Sequence, residues 1–247
     1  MTKLELLQKL IDVSDNIVIL TGAGFSTASN IPDFRSDNGL YKVKGTSIPP
    51  EEILSHHFFI NHPDEFFKYY FSKMVYMDAL PNAGHKKLAE LESNGKNITI
   101  ITQNIDGLHQ KAGSKHVLEL HGSVRRNHCM KCHKYYALEE IPHDGSIPYC
   151  TCGGIIKPDV VLYEEGLDEK VIDESLRKIV NADLLIISGS SMVVNPAASL
   201  PYYYRGNKMV IINLSETPLD SLASLIIREK SEEVFSKIVV KGETKWI

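Results

Sequence analysis

Ile17-Val18-Ile19-Leu20-Thr21-Gly22-Ala23-Gly24 runs four consecutive apolar residues into a glycine turn. Continuous apolarity is the mark of a strand buried on both faces, because a half-exposed strand alternates apolar with polar. Comparable runs recur at Asn97–Thr102, Asp183–Gly189 and Met209–Asn213, with shorter ones at Val117–Leu120 and Asp159–Leu162. Helical spacing fills several of the gaps. Leu4, Leu7 and Ile11, widened by Leu6 and Leu10, open the chain, and residues 85–92, 169–180 and 231–239 carry similar stripes. Buried strands alternating with amphipathic helices predict an α/β fold whose mostly parallel sheet is covered on both faces. An α+β arrangement is the competing reading of the same periodicity.

Two stretches interrupt the alternation. Residues 37–80 contain no clear strand and are rich in aromatics, among them Phe58, Phe59, Phe66, Phe67, Tyr69, Tyr70 and Phe71. Residues 125–156 contain every cysteine of the chain. Both are read as insertions into one domain of 247 residues, with a body formed by 1–36, 81–124 and 157–247. Lys and Arg number 27 against 31 Asp and Glu, a net charge of −4, which argues against a dedicated nucleic-acid binder. The N-terminus carries Lys3, Glu5, Lys9 and Asp12, so it lacks the apolar run of a signal peptide, and no apolar run is long enough to span a bilayer. A cytoplasmic protein is expected, with no membrane or direct nucleic-acid partner.

The four cysteines form two close pairs, Cys129-x2-Cys132 and Cys150-x-Cys152, separated by 17 residues. Pairs at this distance can converge on one tetrahedral zinc, and four thiolates would close its shell and make it structural. His128 and His133 are rivals for one position, and free thiols or a disulfide are the competing reading. Gly153 and Gly154 supply a tight turn beside the second pair.

Other candidates sit at strand ends, where open α/β sheets bind ligands. Gly22-x-Gly24 begins like a dinucleotide turn, but Thr27 replaces the third glycine and no acidic residue ends a second strand about 20 residues on. That argues against a standard hydride-transfer enzyme. Ile31-Pro32-Asp33-Phe34-Arg35 groups a carboxylate, an aromatic ring and a guanidinium on a loop, either for a polar aromatic ligand or as a surface turn. The strand at 97–102 delivers Gln103-Asn104-Ile105-Asp106, and the strand at 117–120 delivers His121-Gly122. Histidine is suited to acid–base work near neutrality, although one histidine among ten is also read as a packed side chain. Gly189-Ser190-Ser191 and Asn213-Leu214 close two further strands with groups fit for phosphate or ribose hydroxyls.

Together these motifs resemble the sirtuin family of NAD-dependent protein lysine deacylases, of the bacterial type. The resemblance rests on Gly22-Ala23-Gly24-Phe25-Ser26, Ile31–Arg35, Thr102–Asp106, Leu120-His121-Gly122, Lys157-Pro158-Asp159-Val160-Val161 and Gly189-Ser190-Ser191, and it covers nearly the whole chain. It implies a Rossmann-like body and a small lobe made of a zinc ribbon and a helical insertion. It implies NAD and one structural zinc as cofactors, acyl-lysine proteins or peptides as partners, and a compact monomer. By the same resemblance, Ala23, Ser26 and Thr27 line the phosphates, Ile105 and Asp106 hold the nicotinamide carboxamide, and Asn104 positions a ribose or a water. Gly22, Gly24, Asp33, Arg35, Gln103, Gly189 and Leu214 complete the cofactor set. Ser190, Ser191 and Asn213 bind the adenosine ribose, Phe34 shields the reacting carbon, and His121 is the general base, with Asn104 and Asp106 beside it. Val160, Val161, Leu162, Tyr163 and Glu164 pair with the peptide as an added strand, and Val193 touches it.

A mono-ADP-ribosyltransferase on the same NAD site is the alternative. Three departures stand out: Phe25 is bulkier than the residue usual at its turn, Glu164 takes a spot often held by glycine, and Cys150-x-Cys152 is short by one residue. The family's succinyl-reading subclass uses Tyr-x-x-Arg, whereas this chain has Tyr69-Tyr70-Phe71-Ser72-Lys73 and no arginine between Arg35 and Arg125. A lysine is a point charge and lacks the guanidinium fork that clamps a carboxylate. Acetyl is therefore expected over succinyl.

Overall fold

The computed structural model describes residues 1–34, 39 and 48–240. Helix α1 (Lys3–Asp12) is fixed by a reciprocal cap: the Thr2 hydroxyl accepts the Glu5 N–H, and the Glu5 carboxylate accepts the Thr2 N–H. Strand β1 (Asn16–Thr21) follows, buried at every position after the first. Three helices, α2 (Pro50–Ile53), α3 (His56–Asn61) and α4 (Pro63–Lys73), precede α5 (Ala83–Ser93) and strand β2 (Asn97–Thr102). Helix α6 (Leu108–Ala112) leads to β3 (Val117–Glu119), β4 (Gly122–Cys129), β5 (Tyr135–Ala137) and β6 (Ile156–Val160). Helix α7 (Glu169–Val180), strands β7 (Leu184–Ser188), β8 (Met209–Ile212) and β9 (Leu225–Ile227), and helix α8 (Ser231–Ser236) complete the described chain.

Six strands form one parallel sheet in the order β3-β2-β1-β7-β8-β9. Pleating sends Ile17 and Ile19 to one face, where they meet Leu7 and Ile11 of α1, Leu88 and Leu91 of α5, and Phe235 of α8. Val18 and Leu20 go to the other face and pack with Ile179 of α7, Leu185 and Leu200. The apolar runs thus form a sheet covered on both sides, as expected.

The other three strands form an antiparallel sheet, β5-β4-β6. This corrects the reading of Asp159–Leu162 as a strand of the same alternating series. The strand is Ile156–Val160, and its partner is β4 in the small sheet. β9 has no counterpart among the runs singled out, because three residues are too short for periodicity to register. Phe58, Phe59, Phe66, Phe67 and Tyr70 of the helical stretch share one core with Val124, Leu138, Ile156 and Leu162. Residues of the two sequence interruptions therefore pack on each other. Most of 37–47 lies outside the described residues, so the start of the helical stretch is not traced. No helix among the described residues is long and apolar enough to cross a membrane.

β1 and β7 are the central neighbours from which the chain winds outward in opposite directions, so their carboxyl ends form the topological switch point. Here two turns nearly touch. Gly24 N–H donates to the Gly189 carbonyl at 2.8 Å, and a Cβ on Gly189 would lie 2.3 Å from Phe25 N. Gly189 also has φ +63°, a region that favours glycine. Gly189→Ala should therefore cost about 2–3 kcal/mol from combined clash and backbone strain. Thermal denaturation checks this, and an unchanged melting temperature would contradict it.

Candidate cofactor cleft and metal centre

The switch point explains the glycines physically. A Cβ on Gly22 would stand 2.8 Å from Ser190 Cβ, and one on Gly24 would stand 2.9 Å from the Gly189 carbonyl oxygen. Both N–H groups are consumed by β7 and its turn, Gly22 by the Ser188 carbonyl and Gly24 by the Gly189 carbonyl. Their first role is close approach of two turns, so the sequence pattern of a phosphate loop arises here from chain packing. The bulk of Phe25 is absorbed in a buried pocket among His85, His109 and Phe235.

The approach of the turns gathers a polar set. Ser26 Oγ donates to Asp106 Oδ2 at 2.7 Å and accepts from Asn104 Nδ2 at 3.0 Å. Asn104 Nδ2 also donates to the Gly22 carbonyl at 3.1 Å. Asp106 Oδ1 accepts the Leu108 N–H. Burial pushes the Asp106 carboxyl above its usual range, opposed by the hydrogen bonds from Leu108 and Ser26. Gln103 Nε2 donates to Ser190 Oγ at 2.9 Å and ties the end of β2 to the end of β7. The Ile105 carbonyl accepts the Val124 N–H at 2.9 Å, which anchors this segment to β4.

His121 lies between β3 and β4, half-buried. Its Nδ1 is 2.9 Å from the Gln103 carbonyl oxygen. A carbonyl only accepts, so Nδ1 carries the proton and Nε2 holds the basic lone pair. Burial lowers the imidazole pKa below 6.5, with the Gln103 bond opposing. Gly122 permits the geometry: it has φ +73°, and a Cβ there would meet the Asp159 carbonyl oxygen at 1.8 Å.

The remaining candidates lie around this set. Ser191 continues the β7 turn, while the Asn213 N–H at the end of β8 is held by the Ile227 carbonyl. Leu214 and Val193 are exposed. Ala23 begins the 3-10 turn after β1 and accepts the Ser26 N–H, and Thr27 Oγ1 donates to the Gly24 carbonyl. Asp33 and Phe34 are half-buried, and Arg35 lies outside the described residues. Val161 N–H donates to the His121 carbonyl, joining the Val160–Glu164 segment to the base. Tyr163 is bonded on both backbone groups to the helical stretch, through the Leu54 carbonyl and the His56 N–H. Glu164 has φ +75°, which accounts for glycine as the usual occupant of its place, and its Oε2 accepts the His57 N–H. Glu165 drew no attention in the sequence, yet it joins His56 Nδ1 at 2.9 Å and Lys157 Nζ at 3.1 Å. No local pattern announces such a contact between distant residues.

The four cysteine sulfurs lie within 4.8 Å of one another. Cys129 and Cys152 sulfurs are 3.4 Å apart, and Cys132 and Cys150 sulfurs are 3.6 Å apart. A tetrahedral zinc with bonds of about 2.3 Å needs sulfurs roughly 3.8 Å apart, so this donor set fits it. No disulfide is formed. His128 is turned to Asp159 at 2.7 Å, away from a ligand role. Gly154 must be glycine here, since its Cβ would meet Cys129 Sγ at 2.7 Å. The Tyr136 hydroxyl donates to Cys150 Sγ at 3.1 Å, and the Lys131 N–H to Cys129 Sγ at 3.4 Å.

At the cleft, an amide pair, a buried carboxylate, serine hydroxyls and a neutral imidazole meet at four strand ends. This chemistry suits a ligand with ribose hydroxyls and a carboxamide. The Sir2 family model matches residues 22–196. The chain belongs to the Sir2 family.

Relatives match nearly the whole chain. An NAD-dependent protein deacetylase of Clostridium acetobutylicum is 53% identical over 240 residues, covering 96% of this chain and 98% of the relative. Another from Clostridium tetani is 53% identical over 236 residues, covering 94% and 96%. Among solved structures, a Sir2 homologue in complex with NAD superposes with TM-score 0.85 at 40% identity, covering 94% of this chain and 91% of that one. A Sir2–p53 peptide–NAD complex gives TM-score 0.81 at 39% identity, covering 95% and 96%.

Zinc should be present at one per chain, and its removal by a chelator should unfold the small sheet and lower the melting temperature. Tyr136→Phe should weaken zinc binding by about ten-fold through loss of a donor to a ligand sulfur. Competition with a chromophoric chelator checks both. Metal-free protein with unchanged melting would contradict the assignment.

Proposed function

We propose that this Sir2 chain is an NAD-dependent protein-lysine deacetylase that releases nicotinamide, an O-acyl-ADP-ribose and the free lysine. The observation that carries the reading is His121, a neutral imidazole with Nδ1 fixed on the backbone carbonyl of Gln103, the residue before Asn104, and Nε2 left basic. Full-length relatives named as deacetylases support the same reaction. Bound NAD supplies a ribose carbon that becomes electrophilic as nicotinamide leaves.

The residues of this chain do the rest. Asp106 and the Ile105 backbone hold a carboxamide; Ser26 and the Leu108 N–H keep the Asp106 carboxylate aimed. Asn104 Nδ2 is held by the Gly22 carbonyl and Ser26 Oγ, which fixes its amide in one orientation. The acyl oxygen of the substrate lysine would bond to the ribose carbon as nicotinamide departs. His121 Nε2 would then take a proton from a ribose hydroxyl, whose oxygen would attack the acyl carbon. One water would be consumed as the C–N bond breaks and the lysine amine leaves. Ala23, Thr27, Ser190, Ser191 and Asn213 bind phosphate and ribose, Phe34 excludes water, and Val160–Glu164 with Val193 receives the acyl-lysine peptide. Holding both reactants in register is the main source of rate.

Transfer of ADP-ribose to a protein nucleophile would not need His121 as base, so the retained histidine makes mono-ADP-ribosyl transfer the weaker reading. The division into a body of 1–36, 81–124 and 157–247 with insertions 37–80 and 125–156 belongs to the proposal. So do a cytoplasmic location and a monomeric state. The clustered thiols, suited to a reducing compartment, support that location.

His121→Ala should lower deacetylation by about 10²–10⁴-fold, the range for loss of a general base. Because burial depresses the His121 pKa below its usual 6.5, the imidazole is mostly neutral at pH 6.5 and above, and the base is lost as pH falls through that lower value. The rate should therefore hold from pH 8 to 6.5 and decline below it. A rate already falling at pH 7.5 would contradict this. On α4, Tyr70 is buried between Phe66 and Phe71, and the cations of this helix are Lys68 and Lys73, with no arginine. Acetyl-lysine peptide should react faster than succinyl-lysine peptide, and the opposite order would refute the assignment of acyl preference.

A further inference from the structure

Four buried side chains outside the reacting groups form a polar chain beneath the cleft. Thr21 and Thr102 are the last residues of β1 and β2, paired in register. They are buried, and Thr21 Oγ1 lies 2.9 Å from Thr102 Oγ1. Thr21 Oγ1 also lies 3.1 Å from His109 Nε2. Thr102 Oγ1 accepts the Asn104 N–H at 3.0 Å. His109 packs against His85 with ring centroids 4.6 Å apart, and both rings are buried and stay neutral because burial depresses their pKa values. His85 is held by the Asn82 N–H on Nδ1. Buried hydroxyls and imidazoles are costly unless hydrogen-bonded; both threonine hydroxyls and His109 Nε2 are bonded, whereas His109 Nδ1 and His85 Nε2 have no partner among the described residues.

The tripeptide that these hydroxyls grip is Thr102-Gln103-Asn104. It carries three functional groups at once. The Gln103 carbonyl fixes His121 Nδ1, the Gln103 side chain fixes Ser190, and Asn104 reaches Gly22 and Ser26. A strand end free to relax would let all three drift together.

We infer that Thr102, braced through Thr21 by His109, is a positioning residue: its hydroxyl fixes the turn that aims Asn104 and sets the orientation of His121. None of the four touches a reacting atom. The proposal rests on the deacetylase reading for its kinetic consequences, whereas its geometric content stands apart from the reaction run.

Thr102→Val keeps the shape and removes the hydroxyl, and Thr102→Ser restores it. With acetyl-lysine peptide and NAD, Thr102→Val should lower kcat by about 10–100-fold, as expected for misplaced reacting groups, with peptide KM nearly unchanged. Thr102→Ser should recover most of the rate. Thr21→Val should give a smaller loss, and the double valine variant should be no worse than Thr102→Val alone, because both substitutions break one chain. Nitrogen-15 spectra of the His121 ring give a second readout that needs no turnover. The wild type and Thr102→Ser should show one tautomer protonated on Nδ1, and Thr102→Val a mixture. A Thr102→Val protein with wild-type kcat and a single His121 tautomer would overturn the proposal. So would a loss of rate that tracks only the fraction folded and is not recovered by serine. A wild type that shows the single tautomer but releases no nicotinamide would count against the deacetylase reading and leave the positioning role supported.

Discussion

The close contact of two glycine turns at the centre of the sheet is the constraint on which the rest of the site depends. Gly22 and Gly24 after β1 meet Gly189 after β7 with no room for a Cβ on any of them. This contact brings Ser26 within reach of Asp106 and Asn104, and brings Ser190 within reach of Gln103. Widening the gap by one methyl group would separate β1 from β7 at the topological switch point. The glycines are therefore packing residues first, and what they expose to a ligand follows from that packing.

A second constraint couples the small lobe to the same site. The antiparallel sheet begins at Gly122, one residue after His121, and its β6 strand presses the Asp159 carbonyl against Gly122. The zinc ligands sit at the far end of β4 and on the turn before β6. A metal that closes this ribbon keeps β4 and β6 paired, and the pairing sets the path of the chain at His121. The aromatic helices share the core of that ribbon, so the lobe behaves as one packed unit despite coming from two interruptions of the sequence. Glu164 and Glu165 strengthen this unit by linking the segment after β6 to α3 and to Lys157.

Much of this was legible from residue order. Continuous apolar runs such as Ile17–Leu20 and Leu184–Ile187 identify strands buried on both faces, because they are short, rich in Ile, Val and Leu, and end in glycine turns. Two cysteine pairs with flanking glycines identify a metal site, because thiolates at that spacing have few other uses. What was not legible depends on distance in sequence. Asp159–Leu162 has the composition of a sheet strand, and only its pairing with β4 assigns it to the small sheet. The Thr21–Thr102 hydroxyl contact spans 81 positions, and the His109–Thr21 contact 88, so no motif reports them. Gly22-x-Gly24 resembles the start of a dinucleotide turn, while the residues that a Cβ there would strike lie in a turn more than 160 residues away.

The account stands on one reaction at the end of the sheet, and its mass balance tests it most directly. In a single turnover with acetyl-lysine peptide, nicotinamide, deacetylated peptide and acetyl-ADP-ribose should appear in equal amounts. Nicotinamide released with ADP-ribose attached to protein, or released while the peptide keeps its acetyl group, would contradict it.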